Sequence, residues 1–273
     1  MADLFARDSV IRRVSAEPAI FFAAGRALLL QLAHPAVAQG VADHSDFQSN
    51  PLRRLQGTLE ATYAVVFGSE ALAEAVGRRI QHVHDFVTGP AYRANDPANL
   101  LWVHATLAES ALGVYTDLVE PLPADEAETY YRQMMVVAEV FGLPAAEQPA
   151  TLAEFRAYFD RMVSTLEVSD AGRRLGADIV RPTLPGGLHV PLAPLLAAHR
   201  LIAVGTTPEP LRRQFGFPWD DVRERRLARA RSVAARAFAM TPRPVRTAPG
   251  WLQGQFLLWQ AGRHAGGAVA SAA

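Results

Sequence analysis

Hydrophobic residues recur every three to four positions along most of this chain, which is the spacing of one face of an α-helix. Strictly alternating stretches, which are typical of half-buried strands, are hard to find. We therefore predict an all-α fold. Capping residues, glycines and prolines divide the pattern into helices predicted at 18–32, 51–68, 70–87, 98–119, 126–141, 155–166, 170–181, 192–204, 208–215, 220–239 and 251–262, with a short piece after Pro35.

No stretch has the composition of a linker between independent domains. We therefore predict one helical domain over residues 1–273, with a disordered tail at 266–273. The segment 182–191 is rich in proline and glycine and is predicted to be a loop, either a lid or a link between two halves. The arginine-rich run 223–231 is interpreted as a solvated helix face with acidic neighbours.

Composition removes several classes of chemistry. The 273 residues carry 27 basic and 27 acidic side chains, so no net field attracts nucleic acid or an anionic membrane. The chain has no cysteine, which excludes disulfides, thiolate zinc sites, iron–sulfur clusters and thiolate-bound haem. It also has no lysine, which excludes Schiff-base chemistry. Histidine, methionine, tyrosine, aspartate and glutamate remain as ligands for iron.

The sequence also bears on location. Its first residues lack a basic leader followed by an apolar run, so we expect no signal peptide. The longest apolar segment, 18–38, is interrupted by Arg26, Gln31 and His34. It falls short of the about 18 uninterrupted apolar residues that a membrane helix needs. We expect a cytoplasmic protein without an integral membrane segment.

Two histidines, His34 and His44, follow the apolar helix predicted at 18–32. Imidazole is costly to bury alone, so such a residue normally has a hydrogen bond, a metal or a cofactor as its partner. His44 is predicted to fix the turn at 43–45. His104 lies among apolar neighbours on another amphipathic helix and is predicted to face the core.

His84 is predicted to face inwards too, because apolar residues lie four positions before it and three positions after it. His82 is rotated by roughly 200° from it and is predicted to face solvent. His34, His84 and His104 then come from three helical segments, which is how a helical bundle builds a cofactor pocket. A core histidine bonded to a backbone carbonyl is the alternative for each.

Known metal and catalytic fingerprints are missing. Neither Glu-x-x-His nor Asp-x-x-His occurs, and His-x-x-x-His and His-Glu-x-x-His are absent too. This favours a cofactor held by a single histidine over a non-haem metal cluster. Two arginines are candidates for an anionic partner: Arg26, inside an apolar helix, and Arg54, which forms an i, i+4 pair with Thr58. The alternative for Arg54 is an exposed side chain.

Several short motifs follow one another along the chain. They are Leu32-Ala33-His34-Pro35, Gly40-Val41-Ala42-Asp43-His44-Ser45, Arg54 with Thr58, Val66-Phe67-Gly68, His84-x-x-Val87-x-Gly89, Asp96-Pro97, Leu101-Trp102-Val103-His104-Ala105-Thr106-Leu107 and Tyr130-Tyr131. Together they resemble the MpaB-type oxygenase family, which includes the catalytic domain of the latex clearing rubber oxygenases. The resemblance covers roughly residues 10–240.

This resemblance implies an all-α fold with a globin-like core that binds haem b. It also implies chemistry with dioxygen on a hydrophobic small molecule such as an isoprenoid. By motif position His84 corresponds to the proximal iron ligand, and Arg54 and Thr58 correspond to a pair near the haem. Arg26 is a second candidate contact for a haem propionate.

His34, His44 and His104 match positions that are typical of the bacterial branch. Either His34 or His104 is a candidate to donate a hydrogen bond to bound oxygen, and with Thr58 these two form the predicted catalytic set. The latex enzymes use a distal lysine, whereas this chain has none and Gly57 stands beside Thr58. The distal side is then open, filled by water or occupied by another residue such as a histidine.

Two hypotheses follow. The first is a haem b-dependent oxygenase or oxidase, in which iron held by His84 activates dioxygen beside an apolar substrate. The second is a non-catalytic helical protein that binds haem or a lipid.

Overall fold

The structure is a computed structural model that describes residues 2–44, 51–182, 189–248, 255–256 and 258–259, without the side chains of 51–56 and 189–190. Most of the described chain is helical, which confirms the predicted all-α fold. The helices are α1 Val10–Ser15, α2 Ile20–Ala33, α3 Pro35–His44, α4 Pro51–Phe67, α5 Glu70–Asp85, α6 Pro97–Leu118, α7 Ala124–Val140, α8 Leu152–Thr165, α9 Asp170–Val180, α10 His189–Thr206, α11 Glu209–Gln214 and α12 Asp221–Met240. One 3₁₀ turn covers Ala145–Glu147, and a further helical segment covers 243–248.

A small hairpin interrupts the helices between α5 and α6. It consists of β1 Thr88–Gly89 and β2 Tyr92–Arg93, which pair antiparallel. The described residues form no other strand. The sequence pattern did not predict them, because two residues per strand are too few to show an alternation.

Five helices begin at a side-chain cap. The sequence predicted four of these caps, whereas Asp220 was predicted as the first residue of its helix. In each case a side-chain oxygen accepts a hydrogen bond from a backbone N–H of the first turn, which satisfies a donor that has no partner within the helix. The caps are Ser69, Asp96, Thr151, Ser169 and Asp220.

One helix was not predicted, and two others, α8 and α10, begin three residues earlier than predicted. Helix α1 lies in a segment for which the sequence pattern predicted no helix, because six residues are too few to define a periodic face. Helix α8 begins at Leu152 rather than at 155. Helix α10 begins at His189 rather than at 192, with Pro191 in its first turn, where proline sacrifices no intrahelical hydrogen bond. Most of the predicted loop 182–191, most of the helix predicted at 251–262 and the whole tail 266–273 lie outside the described residues.

Helix α2 is the central helix and packs against α6, α10, α9 and α3. It runs antiparallel to α6. Near one end of the pair, Trp102 donates its indole N–H to the carbonyl of Leu30 over 3.0 Å, and near the other end Arg26 meets Glu109. Trp102 also stacks on Phe159 of α8, with 5.6 Å between ring centroids. The two helices are therefore held in a fixed register.

Helix α2 ends at His34 because Pro35 disfavours helical backbone at the residue before it. The ψ angle of His34 is 120°, and α3 leaves at 103° to α2. No single helix among the described residues is long and apolar enough to span a membrane. Helices α2 and α3 meet that criterion only when they are taken together as a bent pair.

The buried side chain of Arg26 joins three helices. Its Nε donates to the carbonyl of Thr206 on α10 over 2.8 Å. Its Nη1 donates to the hydroxyl of Ser110 on α6 over 2.9 Å and to the carboxylate of Glu109. The sequence predicted a buried anionic partner for Arg26, and the structure pairs Arg26 with Glu109, which is half-buried. Burial lowers the pKa of Arg26 to about 10, which leaves the guanidinium charged at neutral pH.

A second buried ion pair fastens the end of the described chain to its beginning. Glu17 is only 1% exposed, and both of its carboxylate oxygens accept hydrogen bonds from Arg246, at 2.8 and 2.9 Å. Arg246 also donates to the carbonyls of Phe238 and Thr241 at the end of α12. The segment after α12 is thereby held against the start of α2.

We expect Arg246→Ala to lower the free energy of unfolding by about 3 kcal/mol, because it leaves the Glu17 carboxylate buried without its main partner. Urea denaturation followed by circular dichroism measures the change. Arg236→Ala, on an exposed position of α12, is the matched control and should stay near the wild-type value. An equal loss in both variants would contradict a special role for the Glu17 pair.

Candidate functional site

The predicted iron ligand lies on a pair of antiparallel helices, α4 and α5, which are joined by a short turn at 68–69. Glu60 of α4 is buried and lies 3.5 Å from the guanidinium of Arg79 on α5. This contact fixes the register of the pair. Because the two helices run in opposite directions, the start of α4 lies beside the end of α5. The segment 54–58 therefore lies beside the end of α5 that carries His84.

His84 is half-buried near the end of α5, whereas His82 is exposed. The predicted inward and outward orientations of these two histidines are thus confirmed. Two large apolar side chains next to His84 face solvent: Val83 is 53% exposed and Phe86 is 68% exposed. The end of α5 therefore combines a partly enclosed imidazole with an exposed apolar surface.

The β1–β2 hairpin closes this end of the bundle against α3. Tyr92 donates its hydroxyl proton to the carboxylate of Asp43 over 2.7 Å, and His44 Nε2 lies 3.1 Å from the carbonyl of Thr88. Gly40 permits the close approach, since a Cβ there would lie 3.3 Å from the ring of Tyr92. The structure therefore shows His44 bonded to the hairpin. The predicted turn at 43–45 lies partly outside the described residues.

Asn95 connects the end of α5 to the start of α6. Its amide donates to the carbonyl of Gln81 over 3.1 Å and to the carboxylate of Asp85 over 2.7 Å. Sequence reasoning missed Tyr92 and Asn95 as residues of this region. Their partners are 10 to 49 positions away, and no periodicity marks such a contact.

His34 lies at the junction of α2 and α3 and is half-buried. Its Nδ1 is buried and has no hydrogen-bond partner among the residues that the structure describes. Burial lowers the pKa of His34, while the nearby carboxylate of Asp96 opposes the shift. Asp96 follows Asn95, so His34 and the His84 end of α5 both adjoin the start of α6.

His104 is in the core, as predicted, with only 8% of its surface exposed. Burial lowers the pKa of His104 to about 4, and a hydrogen bond to the backbone of Met134 on α7 opposes the shift. Its Nε2 has no hydrogen-bond partner in the described part of the chain. The neutral ring therefore lies between α6 and α7 with one nitrogen unused.

Three predicted site residues remain: Thr58 and Arg54 on α4, and Arg26 on α2. Thr58 is half-buried on α4, and the side chain of Arg54 lies outside the described residues. Arg26 lies eight positions before His34 on α2, which is about 12 Å along a helix. In the structure, His34 and the end of α5 that carries His84 thus both adjoin the start of α6, whereas Arg26 lies towards the other end of the bundle.

No group of three or more histidine, aspartate or glutamate side chains in the described ranges is arranged to hold a metal ion. Two cavities of about 650 and 370 Å³ open elsewhere, and no histidine lines either of them. A metal held by several protein ligands therefore has no candidate position in this part of the chain.

A family model matches residues 11–258, and its description is "ER-bound oxygenase mpaB/B'/Rubber oxygenase, catalytic domain". The chain belongs to this family. The match confirms the resemblance carried by the motifs from His34-Pro35 to Tyr130-Tyr131, and it makes the chain an oxygenase domain in general terms. Neither the curated proteins nor the solved structures gave a significant match.

The stability of this oxygenase domain should fall as the pH is lowered from about 7 to about 4. Unfolded histidine takes up its proton near pH 6.5, whereas folded His104 does so only near pH 4, so protons favour the unfolded chain. The shift contributes about 3 kcal/mol at the acid end. The pKa values of His34 and His199 are also lowered by burial and act in the same direction.

His104→Asn should flatten this pH dependence, and unfolding free energies measured at several pH values check it. His82→Asn changes an exposed histidine on α5 and serves as the control that should keep the wild-type slope. A wild-type slope in His104→Asn would show that the buried imidazole does not govern acid stability.

Proposed function

We propose that this oxygenase domain is haem b-dependent and acts with dioxygen on a hydrophobic small molecule, and that His84 would hold the iron of the haem. The observation that supports it best is the position of His84. Its half-buried imidazole lies on the inner side of α5, at the end of the α4–α5 pair where the segment 54–58 runs alongside. A globin-like arrangement of the haem core belongs to the same proposal.

The residues present fit a group that needs one protein ligand. The chain has no cysteine, and its described residues include no set of three ligands for a non-haem metal. An imidazole on a helix is a common axial ligand of haem iron. When bound, the haem supplies the activation of dioxygen and the transfer of electrons, while the chain supplies the ligand, the charge contacts and an apolar environment.

The arginines would have different roles. Arg54 and Thr58 belong to the α4 segment beside the end of α5, so we assign the propionate contact first to Arg54. Arg26 is already neutralised by Glu109 at a distance along α2, and its contact with a propionate stays a prediction. Thr58 is proposed to provide a hydroxyl group on the same side of α4.

The apolar residues around His84 support a hydrophobic substrate. Val83 and Phe86 are exposed on the surface at the end of α5, although side chains of this size are usually buried. An apolar molecule bound at this position, such as an isoprenoid, would cover these two side chains. The hydrophobic effect would then favour binding at this position.

We also propose that His34 donates a hydrogen bond on the reaction side of the site. Its Nδ1 has no partner among the described residues and lies near the start of α6, at the His84 end of the bundle. Its lowered pKa keeps the ring neutral at pH 7, so one nitrogen donates and the other accepts. His104, enclosed between α6 and α7, is the second candidate for this role.

The first experiment compares two histidines on the same helix. His84→Ala should lose the Soret band of protein expressed with added haem precursor, because the iron loses its axial ligand. His82→Ala, two positions away and exposed, should keep the band and the haem content of the wild type. Visible spectra and haem content per chain measure both.

A colourless wild-type protein under these conditions would contradict the haem proposal, and so would an unchanged spectrum in His84→Ala. Oxygen uptake with isoprenoid alcohols and hydrocarbons then separates an oxygenase from a protein that only binds haem. Uptake that depends on the substrate supports the oxygenase, whereas haem binding without uptake favours the binding protein.

His34→Ala should keep the haem content but lower the rate of oxygen uptake by roughly tenfold or more, in the range of a lost hydrogen bond to a reacting group. The conservative variant His34→Gln, which retains an N–H donor, should recover part of the rate. A wild-type rate in His34→Ala would contradict this role of His34. The same assay on His104→Ala then tests whether His104 donates the hydrogen bond instead.

A further inference from the structure

An open cavity of about 650 Å³ lies between the end of α9, the second half of α10 and the start of α12. Small-molecule sites usually have volumes of roughly 300–1,000 Å³. Helix α9 packs along α2, with Gly172 at the carbonyl of Leu32 and Gly176 at Leu29. The cavity follows Gly176 and therefore lies towards the Arg26 end of α2, away from the α4–α5 site.

The inner wall of this cavity is apolar and aromatic. Val204 and Phe215 are buried, and Phe215 stacks on Phe217 with 5.3 Å between ring centroids. Trp219 forms another part of the wall. Its indole lies so close to α10 that a Cβ on Gly205 would be 2.4 Å from the ring, so only glycine permits this position. The wall is thus a closely packed surface against which an apolar molecule can lie.

The rim of the cavity is positively charged. Four arginines line it, and no aspartate or glutamate does: Arg181, Arg200, Arg223 and Arg226. Arg223 is paired with Asp220, whereas the other three have no ion-pair partner among the described residues. The whole chain has equal numbers of basic and acidic side chains. The excess of arginine at the rim therefore results from how the helices pack and not from the composition of the chain.

The arginine-rich run 223–231 of α12 contributes to this rim. Most of its side chains are solvated, as predicted from the sequence, and Arg231 is paired with Asp117. Arg223 and Arg226, however, lie on the cavity. The neighbouring Glu224 accepts a hydrogen bond from the indole of Trp219 over 2.8 Å, which directs this carboxylate to the aromatic wall.

We propose that this cavity is a binding site for an amphipathic anion. The apolar body of the ligand lies against Phe215, Phe217 and Trp219, and its carboxylate or phosphate group lies among Arg200, Arg226 and Arg181. Guanidinium groups bind both kinds of anion through paired hydrogen bonds. A neutral lipid uses only the wall, and a small inorganic anion uses only the rim. The site is independent of the proposed haem chemistry.

Calorimetric titration of the full chain with four ligands tests the proposal: decanoate and geranyl diphosphate as anions, and decanol and geraniol as their neutral counterparts. We expect one molecule of anion per chain, bound about tenfold or more tightly than the matching alcohol. Tighter binding of decanoate identifies a carboxylate site, and tighter binding of geranyl diphosphate identifies a phosphate site.

Variants of the rim and the wall localise the binding. The double change Arg200→Gln and Arg226→Gln should weaken binding of the anions roughly tenfold or more and leave the alcohols unchanged. Arg229→Gln is the matched control, because Arg229 is exposed on α12 and does not line the cavity. Ala198→Trp should fill the cavity and abolish binding of all four ligands.

Equal affinities for anions and alcohols would overturn the proposal. An Arg229→Gln variant that is weakened as much as the double variant would overturn it too, because binding would then depend on general surface charge. Circular dichroism checks that each variant is folded. If the double variant does not fold, Arg200→Gln alone carries the test, and an unchanged affinity for the anions is then the contrary result.

Discussion

The charge of Arg26 inside the central helix is the constraint on which the arrangement of the bundle depends. A guanidinium in an apolar helix is costly unless it is paired and hydrogen-bonded. Helix α6 supplies Glu109 and Ser110, and α10 supplies the carbonyl of Thr206. These partners fix how both helices lie along α2. The indole of Trp102 then reaches the carbonyl of Leu30 in the same register.

That register places two groups of residues at opposite ends of the molecule. The start of α6 meets His34 and the end of α5, so one end collects the half-buried histidines and the exposed apolar residues beside them. Towards the other end, α9, α10 and α12 form a cavity with an aromatic wall and an arginine rim. The family places oxygenase chemistry on this chain. We propose the first end for the reaction itself and the second for the separate binding of an acidic, lipid-like molecule.

Local signals predicted much of the fold because they act within a few residues. Helix caps form through hydrogen bonds that span only two or three positions, as they do at Ser69, Asp96 and Thr151. The orientations of His82 and His84 follow from helical geometry alone, and both were predicted correctly. In the candidate site, however, Asn95 and Tyr92 escaped prediction, since each acts on a partner on another element. The roles of His34, His84, His104, Thr58 and Arg54 stay predictions.

The sequence by itself determined the helical class, most helix limits, the family and the burial of His104 and Arg26. Each of these depends on periodicity, capping or a run of motif residues, which are properties of neighbouring positions. The tertiary structure decided which carboxylate neutralises Arg26 and that Glu17 and Arg246 meet across 229 positions. It also decided that four arginines from the end of α9, from α10 and from α12 line one cavity. Such contacts arise from the packing of whole helices, and the order of residues along the chain does not encode them in any local pattern.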